Sequence, residues 1–181
     1  MHDIKNISDE ELVIKIRKEN KELYSEIVNR YEAKLMRYAN YLTYNQEKAE
    51  DAVQESFIKA YVNLNGFNVK KKFSSWIYRI VHNEAMNVAK KYRKESPINE
   101  DMDWSSKINL EEEFDKKQIQ EMAQKCLKEM PIKYSEPLEL FFIEDYSYGD
   151  ISDILKLPMG TIATRINRAK AIMKKICQKH K

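Results

Sequence analysis

The sequence predicts an all-α protein: two small helical domains joined by a flexible acidic linker. Three observations carry this expectation. Glycine and proline, which interrupt helices, number only 3 and 4 in 181 residues. Apolar residues recur at spacings of three and four along most of the chain. From Glu95 to about Leu110 that rhythm is lost, and Ser, Asn, Asp and Glu fill the stretch after Ser96-Pro97.

Each helix has its own signal. Ser8 and Glu11 form a capping box, with Leu12, Ile14 and Ile16 beyond it, so a first helix is expected over about 9–20. A long amphipathic run follows over 21–44, with Leu23, Ile27, Val28, Tyr31, Leu35, Tyr38, Ala39 and Leu42 on one side. Tyr44-Asn45-Gln46 breaks it. A third helix is expected over about 47–64, with Ala49, Ala52, Val53, Phe57, Ala60 and Tyr61 inward. Asn63, Asn65, Gly66 and Asn68 then mark a turn. Lys70, Lys71 and Lys72 follow. A fourth helix over about 74–94 places Trp76, Ile77, Ile80, Val81, Ala85 and Val88 on one side. Four helices with short connections make a compact bundle. The expected division is a domain over 1–94, a linker over 95–111 and a second domain over 112–181. In the second domain, helices are expected over about 112–129, 132–143, 148–155 and 159–178.

Composition narrows the function. No apolar run approaches the ~20 residues that span a bilayer, and the opening MHDIKNISDEEL has no signal-peptide core. A cytoplasmic protein without stable membrane insertion is expected. Cys126 and Cys177 lack metal-ligand spacing and read as reduced thiols in or near a helical core. His2, His82 and His180 are isolated. No nucleophile–base set, phosphate-cradling glycine loop or metal-ligand cluster is visible. No enzyme activity, cofactor or metal is therefore expected.

Net charge is only +3, but it is unevenly placed. Residues 70–94 carry about +7 and residues 156–181 about +8, whereas 95–127 and 128–155 carry about −5 each. Two basic blocks on a helical protein point to polyanion contacts at two places.

The second basic block lies in a helix-turn-helix pattern. Ser147 and Asp150 cap a short helix, Tyr148 to Leu155. Lys156-Leu157-Pro158 ends it, since a residue before proline resists helical geometry, and Pro158 suits the first turn of the next helix. There Ile162, Ile166, Ala169, Met173 and Ile176 should face inward. Thr161, Thr164, Arg165 and Arg168 share the opposite side and can reach base edges and phosphates in a major groove. Lys170, Lys174 and Lys175 continue the charge towards the DNA backbone.

In the first bundle, Phe67, Phe73, Trp76 and Tyr78 alternate with Lys70, Lys71, Lys72, Arg79, His82 and Asn83. Cations hold phosphates and aromatic faces stack on unpaired bases, which suits melted DNA. Core packing is the simpler reading of Trp76, and the loop residues Asn63 and Asn65 are the better candidates. Asp51, Gln54 and Glu55 crowd the polar side of the third helix. They read as a solvated face or as a docking patch for a basic partner.

Together these segments resemble the extracytoplasmic-function sigma factors, of the sigma-70 family of bacterial RNA polymerase subunits. The resemblance is carried by "YEAKLMRYA" from Tyr31, "AEDAVQESFIKAY" from Ala49, "FSSWIYRIVHNEAMN" from Phe73 and "YSYGDISDILKLPMGTIATRINRAKAIMKK" from Tyr146. It implies a four-helix sigma2-like domain and a helix-turn-helix sigma4-like domain, and the extra domains of large housekeeping sigma factors are not seen. It implies that Asp51, Gln54 and Glu55 bind the clamp helices of the largest polymerase subunit, and that the flap of the second-largest subunit is a further partner. Asn63, Asn65, Phe67, Lys70, Lys71 and Lys72 would capture a flipped base of the downstream (−10) promoter element, supported by Arg79 and Asn83. Thr161, Thr164, Arg165, Asn167, Arg168 and Lys170 would read the upstream (−35) element. An anti-sigma factor is a further expected partner. Gly149 stands where the family usually has an acid, and Ala163 where many members place Lys or Arg.

Two rival readings predict different behaviour. A stand-alone helix-turn-helix regulator would bind a palindromic operator without polymerase. A helical adaptor would be indifferent to loss of Arg165 and Arg168.

Overall fold

The computed structural model describes residues 6–93 and 127–179, and the chain divides into two compact units, 1–97 and 98–181. The linker with Trp104, the helix expected from 112 and Cys126 lie outside the described residues, as does the side chain of Cys177. Every element described is helical.

In the first unit, α1 (Asp9–Lys18) starts at the expected capping box. Glu11 N donates to Ser8 Oγ at 3.2 Å and Ser8 N donates to Glu11 Oε2 at 3.0 Å. Leu12, Val13 and Ile16 are buried, while Ile14 is turned partly to solvent. The helix stops before the expected Asn20. Asn20 is extended, and its side chain accepts from Glu22 N at 2.8 Å, capping a separate 3-10 turn over Lys21–Leu23. An Asn side chain competes well for backbone donors, so it starts a new turn instead of continuing the old one.

Helix α2 (Tyr24–Thr43) buries Ile27, Tyr31, Leu35, Tyr38, Ala39 and Leu42. It ends at Tyr44, held in the left-handed region at φ 52°. Asn45 then caps α3 (Gln46–Val62) by accepting from Lys48 N at 3.0 Å. The buried face of α3 is made of small residues, Ala49, Ala52, Val53, Ser56 and Ala60. These let the helix lie close to α2 and to α4 (Phe73–Arg93). The expected inward residues Phe57 and Tyr61 are instead half-buried and exposed. They flank the small-residue face, and Tyr61 packs edge-on against Tyr24 at 5.0 Å. Tyr24 donates to Phe57 O at 2.8 Å, and burial pushes its phenol pKa up. Arg30 ties α1 to α2, reaching Asp9 at 2.8 Å and Glu26 at 3.0 Å.

In the second unit, a 3-10 turn (Leu127–Glu129) leads to α5 (Ile132–Phe142). Next come α6 (Tyr148–Leu155) and α7 (Met159–Lys179). Helix α7 packs on both α5 and α6. The expected face of Ile162, Ile166, Ala169, Met173 and Ile176 is buried, and Ala171 and Ile172 join it. Full burial of the Ile and Met side chains contributes about 1.5–3 kcal/mol each.

Candidate nucleic-acid interface

The turn that sets up α7 falls where expected, after Tyr148–Leu155, but its cause differs. Lys156 ends α6 in the left-handed conformation, φ 56°, so backbone reversal at Lys156 stops the helix one residue before Leu157 meets the proline. Ser152 Oγ donates to Leu157 O at 2.6 Å and pins the turn. Pro158 caps the next helix from outside, its carbonyl accepting from Thr161 N at 2.9 Å and Ile162 N at 3.1 Å. The Ser147–Asp150 capping box forms in both directions.

On α7, Thr164, Asn167 and Arg168 are exposed, and Thr161, Arg165 and Lys170 are half-buried. One polar face thus holds two hydroxyls, an amide and two guanidinium groups, with no acid in the first turn. Thr164 Oγ1 donates to Gly160 O at 2.8 Å, which fixes its hydroxyl. Lys170 differs from its neighbours: its ammonium lies over the Phe142 ring at 5.4 Å from the centroid. It therefore couples α7 to α5 by a cation–π contact as well as carrying charge.

In the first unit the end of α3, the turn after it and α4 enclose an open cleft of about 520 Å³. Asn63, Gly66, Trp76 and Asn83 line it, with Lys59 and Glu84 on its wall. Lys59 Nζ reaches Glu84 at 2.7 Å and Glu55 at 3.4 Å. The hydrogen bond to Glu84 holds the ammonium above its usual pKa despite some desolvation, and Glu55 adds to the effect. Asn63 ends α3 and its Nδ2 donates to Lys59 O at 2.8 Å. Asn65, Lys70, Lys71 and Lys72 are exposed, and Asp51, Gln54 and Glu55 are exposed along α3.

Phe67 was expected among the base-contacting residues, but it is only 5% exposed. It packs against Phe73 at 5.4 Å and Trp76 at 5.1 Å, supporting the loop from beneath. Phe73 and Tyr78 are likewise buried, so of the four aromatics only half-buried Trp76 presents surface to the cleft. Arg79 is half-buried and is not among the cleft-lining residues, whereas Asn83 is. His82 is half-buried, with Nδ1 3.4 Å from Tyr38 Oη.

Sequence reasoning missed Lys59, Val62, Ile80 and Glu84 as cleft residues and preferred core packing to base stacking for Trp76. The available signal was the spacing of Trp76, Ile80, Asn83 and Glu84, a second stripe on α4. The pairing of Lys59 with Glu84, 25 residues away, had none.

The chain matches the family model for Sigma-70 region 2 over residues 27–95 and that for Sigma-70, region 4 over residues 120–173. The two matches fall in order on the two units and together span more than half of the chain. The chain belongs to the sigma-70 family. Within it, this sigma factor resembles the extracytoplasmic-function (ECF) members. It is 27% identical to the ECF RNA polymerase sigma factor SigW of Bacillus subtilis, over 88% of this chain and 91% of that one. It is 29% identical to the ECF RNA polymerase sigma-E factor of Haemophilus influenzae, over 92% of this chain and 94% of the relative.

Two solved structures share the fold. One is CnrH in complex with the cytosolic domain of CnrY, with TM-score 0.70 and 19% identity, covering 96% of this chain and 99% of that one. The other is the sigma factor RpoE in complex with the anti-sigma factor NepR from Bartonella quintana, with TM-score 0.66 and 22% identity, covering 86% and 96%. By its two family matches and its similarity to the ECF relatives, the protein is an ECF sigma factor that directs RNA polymerase to promoters. The cleft lies wholly within the region 2 match, and the exposed face of α7 lies within the region 4 match.

Proposed function

We propose that this sigma factor divides promoter recognition between its two basic surfaces, with the cleft of the first unit receiving an unstacked base of the downstream element. The observation that carries this is the cleft itself. It is large enough for a nucleobase, lined by two amides and an indole, and followed in sequence by three exposed lysines. Asn63 and Asn83 supply donors and acceptors for a base edge, and Trp76 supplies a stacking surface. Asn65, exposed between Asn63 and Gly66 in the same turn, is a further base-reading amide, and Lys70, Lys71, Lys72 and Arg79 hold the strand. Phe67 shapes the loop. Unstacking a base costs a few kcal/mol, which contacts in a pocket offset.

The face of α7 reads the upstream element. Arg165 and Arg168 contact guanine edges or phosphates, Thr161, Thr164 and Asn167 complete the readout, and Lys170 lies towards the backbone. Asp51, Gln54 and Glu55 dock core polymerase through its clamp helices, and the second unit meets the flap. The domains run over 1–94 and 112–181, with the acidic segment 95–111 as linker.

The protein acts in the cytoplasm, where its polymerase is, and catalyses nothing itself. An anti-sigma factor restrains it, a reading supported by the two structural relatives, each solved with a bound protein.

The test is promoter-specific initiation by core polymerase on a pool of genomic fragments. Wild-type chain is compared with Asp51→Ala/Glu55→Ala, Asn63→Ala/Asn83→Ala and Arg165→Ala/Arg168→Ala. Discrete start sites are expected with the wild type alone. The first pair should lose core binding, the second strand opening and the third closed-complex recruitment. Start sites unaffected by all three pairs would sink the assignment.

A further inference from the structure

We infer that Arg17 of α1 is a positioning residue for base selection, because it anchors the Asn63–Phe67 turn of the loop from Asn63 to Lys72; this rests on the reading of that loop as the base-capturing element. Arg17 Nε donates to Leu64 O at 3.0 Å, and Nη2 donates to the same carbonyl and to Phe67 O at 2.6 Å. The loop's own bonds close two tight turns: Gly66 N donates to Asn63 O at 3.0 Å and Phe67 N to Leu64 O at 3.1 Å in the first, and Lys71 N donates to Asn68 O at 2.9 Å and Lys70 N to Asn68 Oδ1 at 3.0 Å in the second. They do not fix how the first turn sits on the bundle. The buried Leu64 and Phe67 side chains seat the first turn, and Arg17 fixes its backbone by joining two of its carbonyls to a helix 47 and 50 residues earlier in the chain.

The side chains of Leu64 and Phe67 are buried, while Asn63, Asn65, Gly66 and Asn68 stay exposed. The guanidinium therefore holds the inward half of the turn, and the outward half carries the amides. Among the described residues Arg17 makes no ion pair, so carbonyl dipoles alone receive its hydrogen bonds. Two turns earlier on the same face of α1, Glu10 Oε1 accepts from Phe73 N at 2.7 Å. That bond satisfies an open donor at the start of α4, where the loop ends. One helix thus grips the loop at both ends. It does so from ahead of the region 2 match, which begins at residue 27. The planar fork reaches both carbonyls in one fixed geometry, whereas lysine offers a compact, rotatable ammonium on a flexible stem.

Holoenzyme assembled with wild-type, Arg17→Gln, Arg17→Lys or Asn65→Ala chain is run on promoters randomised through the downstream element. Base preference at each position is read by sequencing the transcribed templates. Core binding, thermal melting and amide exchange at Gly66 and Phe67 are measured alongside. Arg17→Gln should bind core and keep the upstream preference, but its preference at the captured base should fall about tenfold, as expected for losing a hydrogen bond to a charged group. Arg17→Lys should not rescue it, and the Gly66 and Phe67 amides should exchange faster in both variants. If either folded Arg17 variant keeps the wild-type preference while Asn65→Ala loses it, the positioning inference is overturned. If Asn65→Ala also keeps it, the reading of the loop as base-capturing falls as well. Should Arg17→Gln fail to fold, Arg17→Lys decides by the same readout.

Discussion

Lys156 holds φ 56° between α6 and α7, a conformation costing roughly 1–2 kcal/mol for a residue with a Cβ. Its exposed pairing with Asp153, at 3.8 Å, offsets little of that. Lys156→Gly should raise the stability of the second unit by about 1 kcal/mol, read as a higher melting temperature without change in upstream-element binding. Gly149 sits in the first turn of α6, where an added Cβ would meet nothing closer than Ser147 Oγ at 3.8 Å. Gly149→Ala should therefore stabilise by roughly 0.5–1 kcal/mol; a lower melting temperature would contradict this account of the site. At the DNA face, Arg168→Ala should cost about 1–3 kcal/mol of discrimination at one base pair if the guanidinium reads guanine. Competition binding of holoenzyme to single-substitution promoters measures it.

At the scale of the element, α7 shows what a sequence can carry. Its two faces were legible because burial and exposure alternate at helical spacing, and Ile162, Ile166, Ala169, Met173 and Ile176 are all buried. Ile166→Ala should accordingly cost about 2–5 kcal/mol, measured by urea melting, and abolish upstream binding by loosening the helix rather than by removing a contact. The cleft of the first unit was harder to read. The loop residues Asn63 and Asn65 stood out by composition, but the walls come from α3 and α4 meeting across the bundle. Whether an aromatic side chain faces a core or a groove depends on that meeting, and local spacing does not encode it. Phe67 was therefore placed outward although it is buried, and Trp76, read as core or stacking surface, turns out to serve both, packing on Phe67 and Phe73 while lining the cleft. The grip of Arg17 on Leu64 and Phe67 was invisible for the same reason: an arginine on a polar helix face looks alike whether it meets solvent or a carbonyl.

At the scale of the molecule, charge is concentrated in two basic blocks within a chain of net charge only +3. On the proposed assignment, long-range attraction to DNA is local to the two basic surfaces, with acidic segments between and beside them in the sequence. Lys174→Ala/Lys175→Ala should weaken promoter binding across all sequences and lower the salt slope by about one per lysine that meets a phosphate. A titration of holoenzyme affinity against salt checks it. The central claim is that the cleft receives one unstacked base, and the most direct test is an abasic scan. Single-stranded downstream-element DNA, with the base removed at one position at a time, is titrated with holoenzyme carrying wild-type or Trp76→Ala chain. A sharp loss of affinity at one or two positions with the wild type, and a flattened profile with Trp76→Ala, is the predicted result. A flat profile with the wild type, or an unchanged penalty without the indole, would contradict it.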